Sequence, residues 1–360
     1  MIKIEEEKFA LEEKIAKGGR LSIREALSLF SWDFLSLARA GDLRRIQAFP
    51  SEDVGFIVDR IINYTNICEA QCRFCAFHAR AEKIAPYSLS LDEILKRVAA
   101  LDALSGTQVM LQGGLSPDYP LEKLVHMVRS VKEAFPHIAI HSFSPAELAY
   151  VATREGVSLE RMLEELKSAG LDSVPGASDL LVDRIRSVAC AHKISVEDWV
   201  RVERALARHG LKSSATMTYG MGETLLEKIE HLAVIRDLQD ETGNIRAFIP
   251  WSFSPFNTGM ADIAPATGMD YLKMVAISRI FLDNVVYLQA GWLTEGLKIA
   301  QIALAMGAND MGGVLMEECV VKATGVTTKT NREELIAVIR NAGKKPFERD
   351  SAYRPVRRFE

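Results

Sequence analysis

The chain has 360 residues, 48% of them hydrophobic and 26% charged, which is enough to bury a large core. A net charge of −4 excludes the basic surface typical of nucleic-acid-binding proteins, and no apolar run reaches the roughly 20 residues of a membrane-spanning helix. The charged start MIKIEEEKF is unlike a signal peptide, and three of the five cysteines fall within eight residues, so we expect a cytoplasmic protein with reduced, metal-binding thiols.

Strand-like and helix-like segments alternate along the chain after a helical N-terminal region, residues 1–49. Eight short apolar segments are predicted strands: Phe56–Ile62, Thr107–Leu111, Ile138–Phe143, Leu171–Val174, Ser213–Tyr219, Arg246–Pro250, Val285–Leu288 and Ala308–Asp310. Helices are predicted over Ser90–Leu104, Leu121–Ala134, Pro145–Glu155, Ser158–Ala169, Ser195–His209, Glu223–Glu241, Asp270–Phe281, Thr294–Met306 and Arg332–Asn341. Ser90, followed by Glu93, predicts a capping box at the start of its helix.

This alternation predicts an α/β protein made of βα units with a parallel sheet. Eight such units would close a TIM-type (βα)8 barrel, with its site at the carboxyl ends of the strands. We therefore expect an N-terminal helical extension (1–50), a barrel (51–325) and a C-terminal helical extension (326–360). A doubly wound open sheet is the competing fold, but the glycine-rich dinucleotide-binding motif that it would need is absent after the first strand.

The most informative segment is a Cys-x3-Cys-x2-Cys motif formed by Cys68, Cys72 and Cys75, directly after the first predicted strand. Three thiolates on one loop can bind three irons of a 4Fe–4S cluster and leave the fourth iron open to a small molecule. A zinc site is an alternative with His78 as the fourth ligand, although the usual second cysteine pair is missing. Three buried structural cysteines are a second alternative.

With the aromatic Phe74 before its last cysteine, the motif resembles that of the radical S-adenosylmethionine (SAM) superfamily. The resemblance implies a 4Fe–4S cluster and SAM as cofactors, with Phe74 near the SAM adenine. It also implies that Gln112, Gly113 and Gly114, after the second strand, bind the SAM amino group, since glycines let backbone carbonyls approach an ammonium closely. By the same resemblance Ser142 and Asp179 are expected to bind SAM, with Asp179 at the place of a ribose-binding glutamate.

Further matches cover nearly the whole chain, among them QVMLQGGLSPD (108–118) and the run Phe248–Thr258. They resemble the menaquinone-pathway radical SAM enzymes, most of all the cyclic dehypoxanthinyl futalosine synthase family. This implies that a futalosine-type nucleoside bearing a benzoate is cyclised after a ribose hydrogen is removed. It also implies a one-electron donor such as flavodoxin or ferredoxin. The net charge and the lack of a long apolar run predict no nucleic-acid or membrane partner.

Several alternatives to this function stay open at this point. One is the aminofutalosine synthase reaction or a related radical SAM reaction on another small molecule, and the enzymes that make the deazaflavin chromophore share much of the pattern. Another, from a different class, is a non-catalytic iron–sulfur or zinc-binding protein. The sequence departs from the family pattern at strand-end loops, which bear on the substrate more than on the cofactor: His78–Arg80, Gly176–Asp179, Met221 and Cys319.

The last step of the implied reaction benefits from a base, and four residues near predicted strand ends are candidates: His141, Glu223, Asp310 and Tyr64. Each also has a structural interpretation. His141 could be a core histidine, Glu223 a helix cap, Asp310 a partner of loop amides and Tyr64 a brace for the cysteine loop. Cys190 and Cys319 are expected to be ordinary buried thiols.

Overall fold

The computed structural model describes residues 2–79 and 84–359, so Arg80 of the divergent loop lies outside the described residues. The N-terminal region is helical, as the sequence predicts, and contains α1 (Ile2–Ala16), α2 (Ile23–Ser28) and α3 (Phe34–Ala48) before the first strand. A capping box between Ser22 and Glu25 starts α2, and the side chain of Asp33 caps α3. The three helices bury apolar residues such as Ile15, Ala26 and Leu37 in the main core.

The remaining elements alternate as expected. The strands are β1 (Asp53–Ile57), β2 (Asp59–Thr65), β3 (Gln108–Gly113), β4 (Ala139–Ile140), β5 (Ser173–Val174), β6 (Lys212–Tyr219), β7 (Ile245–Ser252), β8 (Tyr287–Leu288), β9 (Asp310–Gly313), β10 (Lys345–Arg349) and β11 (Pro355–Arg358). The helices are α4 (Leu91–Asp102), α5 (Leu121–Ala134), α6 (Pro145–Glu155), α7 (Leu159–Ala169), α8 (Asp183–Ala189), α9 (Val196–Arg208), α10 (Leu225–Thr242), α11 (Gly268–Phe281), α12 (Leu297–Ala303) and α13 (Arg332–Asn341). The sequence did not predict α8.

Strands β2 to β9 form one closed parallel ring. Parallel ladders join β2, β3 and β4, and likewise β5, β6, β7 and β8. Single parallel bridges complete the ring: His141 with Ser173, Gln289 with Asp310, and Arg60 with Met316. Eight parallel strands with helices outside them are the (βα)8 barrel, so that prediction is confirmed and the open-sheet alternative is wrong.

The first predicted strand, Phe56–Ile62, is in fact two strands that part at Val58. β1 pairs with β9 and β10, whereas β2 pairs with β3 inside the barrel. The sequence hides the break because Val54–Val58 is buried and largely apolar, and Ile61 and Ile62 continue the β-branched pattern after Asp59 and Arg60. A change of pairing partner need not interrupt such a pattern.

The C-terminal extension contains the predicted helix, α13, and two strands that the sequence did not predict. β10 lies parallel to β1, with Val54 opposite Pro346, and β11 lies antiparallel to β10. The segment from β10 onward brings Arg349, Ser351 and Tyr353 to the amino-terminal end of the barrel strands. The extension therefore closes one end of the barrel, while the three-part division of the chain stays a prediction.

No helix among the described residues combines the length and the apolar character that crossing a membrane would need.

Candidate active site

The three cysteines of the motif lie on the loop that leaves the carboxyl end of β2. The Leu115 N–H points at Cys68 Sγ at 3.3 Å, and the Phe77 N–H at Cys75 Sγ at 3.4 Å. The Arg73 N–H donates to the carbonyl of Ala189 at 2.8 Å and ties the loop to the end of α8. Backbone donors directed at sulfur favour thiolates, the form in which cysteine binds a metal. Burial outweighs them at Cys75 and raises the pKa of its thiol.

Gly113 and Gly114 allow β3 to pack closely against this loop. A Cβ on Gly113 would lie 2.3 Å from Cε2 of Tyr64. A Cβ on Gly114 would lie 2.1 Å from the Ile67 carbonyl oxygen and 2.7 Å from Cβ of Cys68. Gly114 is therefore required by the close approach of two backbones, and Gly113 by the position of the Tyr64 ring. The contact of the glycine pair with the SAM amino group stays a prediction.

A buried carboxylate, which the sequence did not single out, braces the same region. Tyr64 Oη donates to Glu147 Oε1 at 2.7 Å, the Gly113 N–H donates to the same oxygen at 3.1 Å, and Ser144 Oγ donates to Oε2 at 2.7 Å. Burial raises the pKa of Glu147 to about 7 in spite of these donors. Tyr64 does not line the cavity described below, so the structure places it as a brace, and its catalytic role stays a prediction.

Cys190 lies against the motif, which its position in the sequence does not suggest. It packs with Cys72 in a small buried cluster that also includes Leu115. Contact with Cys190 and burial raise the pKa of the Cys72 thiol. The thiol that we expected to be ordinary thus neighbours a candidate cluster ligand.

The donor set of the loop fits a 4Fe–4S cluster. Among residues 2–79 and 84–359, no three His, Cys, Asp or Glu side chains are grouped so that they could hold one metal ion. A cluster takes one thiolate on each of three irons, so Cys68, Cys72 and Cys75 need not converge on a single point. Three sulfur donors on one loop, two of them facing backbone amides, suit such a cluster.

A cavity of about 340 Å³ runs through the barrel from this loop. Phe74, Cys75 and Asp179 line it at the carboxyl ends of the strands, and Arg246 and Tyr353 line it at the opposite end. Trp251 and Phe253 are among its aromatic lining residues, whereas Phe248 packs outside it with its ring 6.2 Å from that of His231. The cavity therefore connects the cysteine loop with the closed end of the barrel.

The residues predicted to bind SAM divide into two groups. Phe74, Gln112 and Asp179 line the cavity. Asp179 is already engaged, because its Oδ2 lies 2.6 Å from Lys193 Nζ. Ser142 lies outside the lining, and its Oγ accepts a hydrogen bond from the Leu111 N–H at 2.9 Å. The SAM-binding roles of all these residues stay predictions.

Of the candidate bases, His141 is the one that lines the cavity. Its Nδ1 lies 2.8 Å from Ser173 Oγ and 3.4 Å from a terminal nitrogen of Arg246. Burial, together with the guanidinium groups of Arg246 and Arg349, lowers the pKa of His141 well below its usual value. The ring is therefore neutral at physiological pH and is a weak base.

Glu223 and Asp310 lie outside the cavity lining, and their carboxylates have local partners. Glu223 accepts from the N–H groups of Gly220 and Met221 at 2.7 and 2.8 Å, at the carboxyl end of β6. Asp310 forms a buried ion pair with Arg349. Thr224 caps α10, so the helix-cap interpretation of Glu223 is wrong, and Glu223 instead bonds the loop before the helix. Asp310 also accepts from the Gly312 N–H at 2.7 Å, which supports its interpretation as a partner of backbone amides. The catalytic roles of both residues stay predictions.

Arg246 is the cavity residue whose role the sequence did not reveal. It is the second residue of β7, between the apolar Ile245 and Ala247. A charged residue inside an apolar strand was the available signal, because such a side chain needs a polar partner in the interior.

Comparison with known proteins agrees with the motif and the barrel. Residues 62–234 match the radical SAM superfamily, and residues 242–359 match the family described as the CofH/MqnC C-terminal region. The chain is 39% identical over 350 residues to the cyclic dehypoxanthine futalosine synthase of Halalkalibacterium halodurans, covering 97% of this chain and 95% of that protein. It is 41% identical over 346 residues to the protein of the same name from Streptomyces coelicolor, covering 95% and 87%.

A protein with a different name is almost as similar. The 5-amino-6-(D-ribitylamino)uracil--L-tyrosine 4-hydroxyphenyl transferase of Methanococcoides burtonii is 36% identical over 349 residues, covering 94% of this chain and 97% of that protein.

Two solved structures share the fold at low identity. Methylornithine synthase (PylB) superposes with a TM-score of 0.76 at 19% identity, covering 93% of this chain and 97% of that one. The hydrogenase maturase HydG from Carboxydothermus hydrogenoformans superposes with a TM-score of 0.78 at 18% identity, covering 97% and 81%. The chain belongs to the radical SAM superfamily of enzymes and, within it, to the group that contains the cyclic dehypoxanthine futalosine synthases.

Proposed function

We propose that this enzyme cyclises dehypoxanthine futalosine on the way to menaquinone, with a 4Fe–4S cluster on Cys68, Cys72 and Cys75 and SAM beside it. The observation that carries the proposal is the cavity that starts at Cys75 and continues to the closed end of the barrel. When bound, the cluster and SAM supply the one-electron chemistry that removes a hydrogen atom from the substrate. Two relatives at 39% and 41% identity bear the name of this activity.

The chain's own residues supply position and exclusion of water. The cavity lies inside a ring of eight strands, with Trp251 and Phe253 among its lining residues. Aromatic side chains offer flat apolar faces against which a benzoate ring can pack. Phe74 lies beside the cysteines and Gln112 at the end of β3, which supports their assignment to SAM. A one-electron donor such as flavodoxin or ferredoxin is part of the same proposal.

Anaerobic reconstitution with iron and sulfide, followed by reaction with SAM, dithionite and dehypoxanthine futalosine, tests the proposal. We expect 5′-deoxyadenosine and a product two mass units lighter than the substrate, because cyclisation removes two hydrogens overall. Cys72→Ala should lose the absorbance of the cluster. Cys190→Ala is the matched control, since it removes the neighbouring thiol outside the motif and should keep the cluster.

Other products would identify other reactions of the same superfamily. The relative from Methanococcoides burtonii favours a second candidate, in which tyrosine and 5-amino-6-(D-ribitylamino)uracil are the substrates. Turnover of that pair, or a product that incorporates adenosine as in the aminofutalosine reaction, would contradict the cyclase proposal. Failure to cleave SAM at all would point to a non-catalytic metal-binding protein.

A further inference from the structure

Arg246 presents an incompletely bonded guanidinium to the cavity. One terminal nitrogen donates to the Ser351 carbonyl at 2.5 Å, and the other lies 3.4 Å from Nδ1 of His141. The buried Nε has no hydrogen-bond partner among the described residues. The side chain therefore retains donor capacity at the closed end of the cavity.

Of the other charged groups at the cavity, Asp59 and Glu318 accept hydrogen bonds from backbone amides, and two more have partners of opposite charge. Arg349 is paired with Asp310, and Asp179 with Lys193. Within the described part of the chain, no carboxylate oxygen lies within 4.0 Å of a guanidinium nitrogen of Arg246, so Arg246 forms no ion pair there. His141 does not compensate the charge, because its ring is neutral. Arg246 is thus a largely desolvated cation with an open side.

An anion is the ligand that such a group favours. Burying a cation without a counterion is costly, and a ligand that supplies the negative charge recovers part of that cost. The planar fork of a guanidinium matches a carboxylate, which can accept two parallel hydrogen bonds. Apolar side chains of Ile61, Met110 and Ile249 also line the cavity, so the carboxylate should be attached to an apolar group.

The unpartnered Nε does not distinguish Arg246 by itself, because Arg44 and Arg236 also have one. Arg44 lies on α3 and donates to the Gly19 carbonyl, and Arg236 lies on α10 and donates to the Leu21 carbonyl at 2.8 Å. Neither residue lines the cavity. The combination of an unpartnered donor, an uncompensated charge and a place in the cavity wall is what singles out Arg246.

We propose that the closed end of the cavity is a carboxylate-binding subsite, in which Arg246 binds the carboxylate of an aromatic acid. The inference rests on the proposed function for the identity of that acid, a benzoate attached to a nucleoside. It orients the substrate with its carboxylate at the amino-terminal end of the barrel strands. The sugar then extends toward Phe74 and Cys75, where the cofactors are proposed to bind.

Binding without turnover tests this subsite separately from the reaction. Dissociation constants are measured by calorimetry on the reconstituted, SAM-bound enzyme without reductant, for dehypoxanthine futalosine and for its benzamide analogue. Benzoate and benzamide serve as a second pair of probes that does not depend on the proposed substrate. We expect the wild type to bind each acid about 10- to 100-fold more tightly than its amide, the range for a hydrogen bond between charged groups.

Three variants complete the test. Arg246→Gln should bind acid and amide equally well, and Arg246→Lys should lose about tenfold for the acid, because a point charge cannot form the two-pronged contact. Arg44→Gln is the matched control and should keep the wild-type preference. Thermal unfolding shows whether each variant is folded. If Arg246→Gln does not fold, the affinity of Arg246→Lys for the acids tests the subsite instead.

Two outcomes would overturn the subsite: a wild type that does not prefer the acids, or Arg246 variants that keep the full preference. A different outcome bears on the function alone. If dehypoxanthine futalosine gives no cyclic product while benzoate still binds in an Arg246-dependent manner, the cyclase proposal fails and the carboxylate subsite stands.

Discussion

Arg349 and Asp310 form a buried ion pair in which both carboxylate oxygens are bonded. Arg349 Nε lies 2.5 Å from Asp310 Oδ2, and a terminal nitrogen of Arg349 lies 3.0 Å from Oδ1. Both side chains are almost fully buried. The pair joins β10 of the C-terminal extension to β9 of the barrel, so it fixes the segment that closes the cavity.

Asp310→Asn should destabilise the protein by about 3–5 kcal/mol, because it leaves the buried guanidinium of Arg349 without its counterion. Chemical denaturation of the wild type and the variant measures the difference. Glu241→Gln is the control, since the Arg204–Glu241 pair is exposed and should contribute less than about 1 kcal/mol. A variant with normal stability but no turnover would instead favour the catalytic role predicted for Asp310 from the sequence.

Gly114→Ala should prevent assembly of the cluster. The added Cβ would lie 2.1 Å from the Ile67 carbonyl oxygen, so the backbone of the cysteine loop would have to move. Iron and sulfide bound per chain after anaerobic reconstitution measure the effect. Gly268→Ala is the matched control, because the atoms nearest its Cβ all belong to the flexible side chain of Ile299, the closest at 3.0 Å, and none to the cysteine loop. Full iron content in Gly114→Ala would show that the loop tolerates the contact.

The His141 ring should stay neutral as the pH falls through 6.5, where an unperturbed imidazole gains a proton. Burial and the nearby guanidinium groups lower its pKa well below the value near 6.5 that it has in the unfolded chain. Since the unfolded chain then binds the extra proton, this residue reduces stability as the pH falls below about 6.5. NMR of ring-labelled histidine, with His141→Gln to assign the signal, measures the titration. A ring that titrates near pH 6.5 would contradict the expectation and restore His141 as an acid–base group.

Glu203 should make stability fall as the pH rises from about 5 to 8. Its Oε1 accepts from Ser213 Oγ at 2.9 Å, its Oε2 has no partner among the described residues, and burial raises its pKa to about 8. The folded chain therefore keeps a proton that the unfolded chain releases above its pKa near 4.3.

Glu203→Gln removes this titration. As the pH rises from about 5 to 8, the free energy of unfolding of the variant should increase relative to that of the wild type by up to about 1.4 kcal/mol per pH unit. Denaturation at several pH values measures it, and parallel curves for the two proteins would show that Glu203 is not buried as a neutral acid.

Local patterns allowed much of the architecture to be predicted. Ser90 and Glu93 form the expected capping box of α4, and the eight barrel strands lie at or near the predicted segments. These features depend on residues close together in the chain, where hydrogen bonds to nearby amides and hydrophobic periodicity act. The division of the first segment at Val58 could not be predicted in this way, because it depends on the distant partners β3 and β10.

The candidate site shows the same distinction between features that depend on nearby residues and features that depend on distant ones. The sequence by itself determined the Cys68–Cys72–Cys75 motif, its place after a barrel strand and the glycine pair, since one loop and one turn contain them. Only the tertiary structure decided that Cys190 lies against Cys72 and that Arg349 pairs with Asp310. It also decided that Arg246 faces the cavity without a counterion. Whether a buried charge is compensated depends on which distant segments pack around it, and that packing is settled only when the barrel closes.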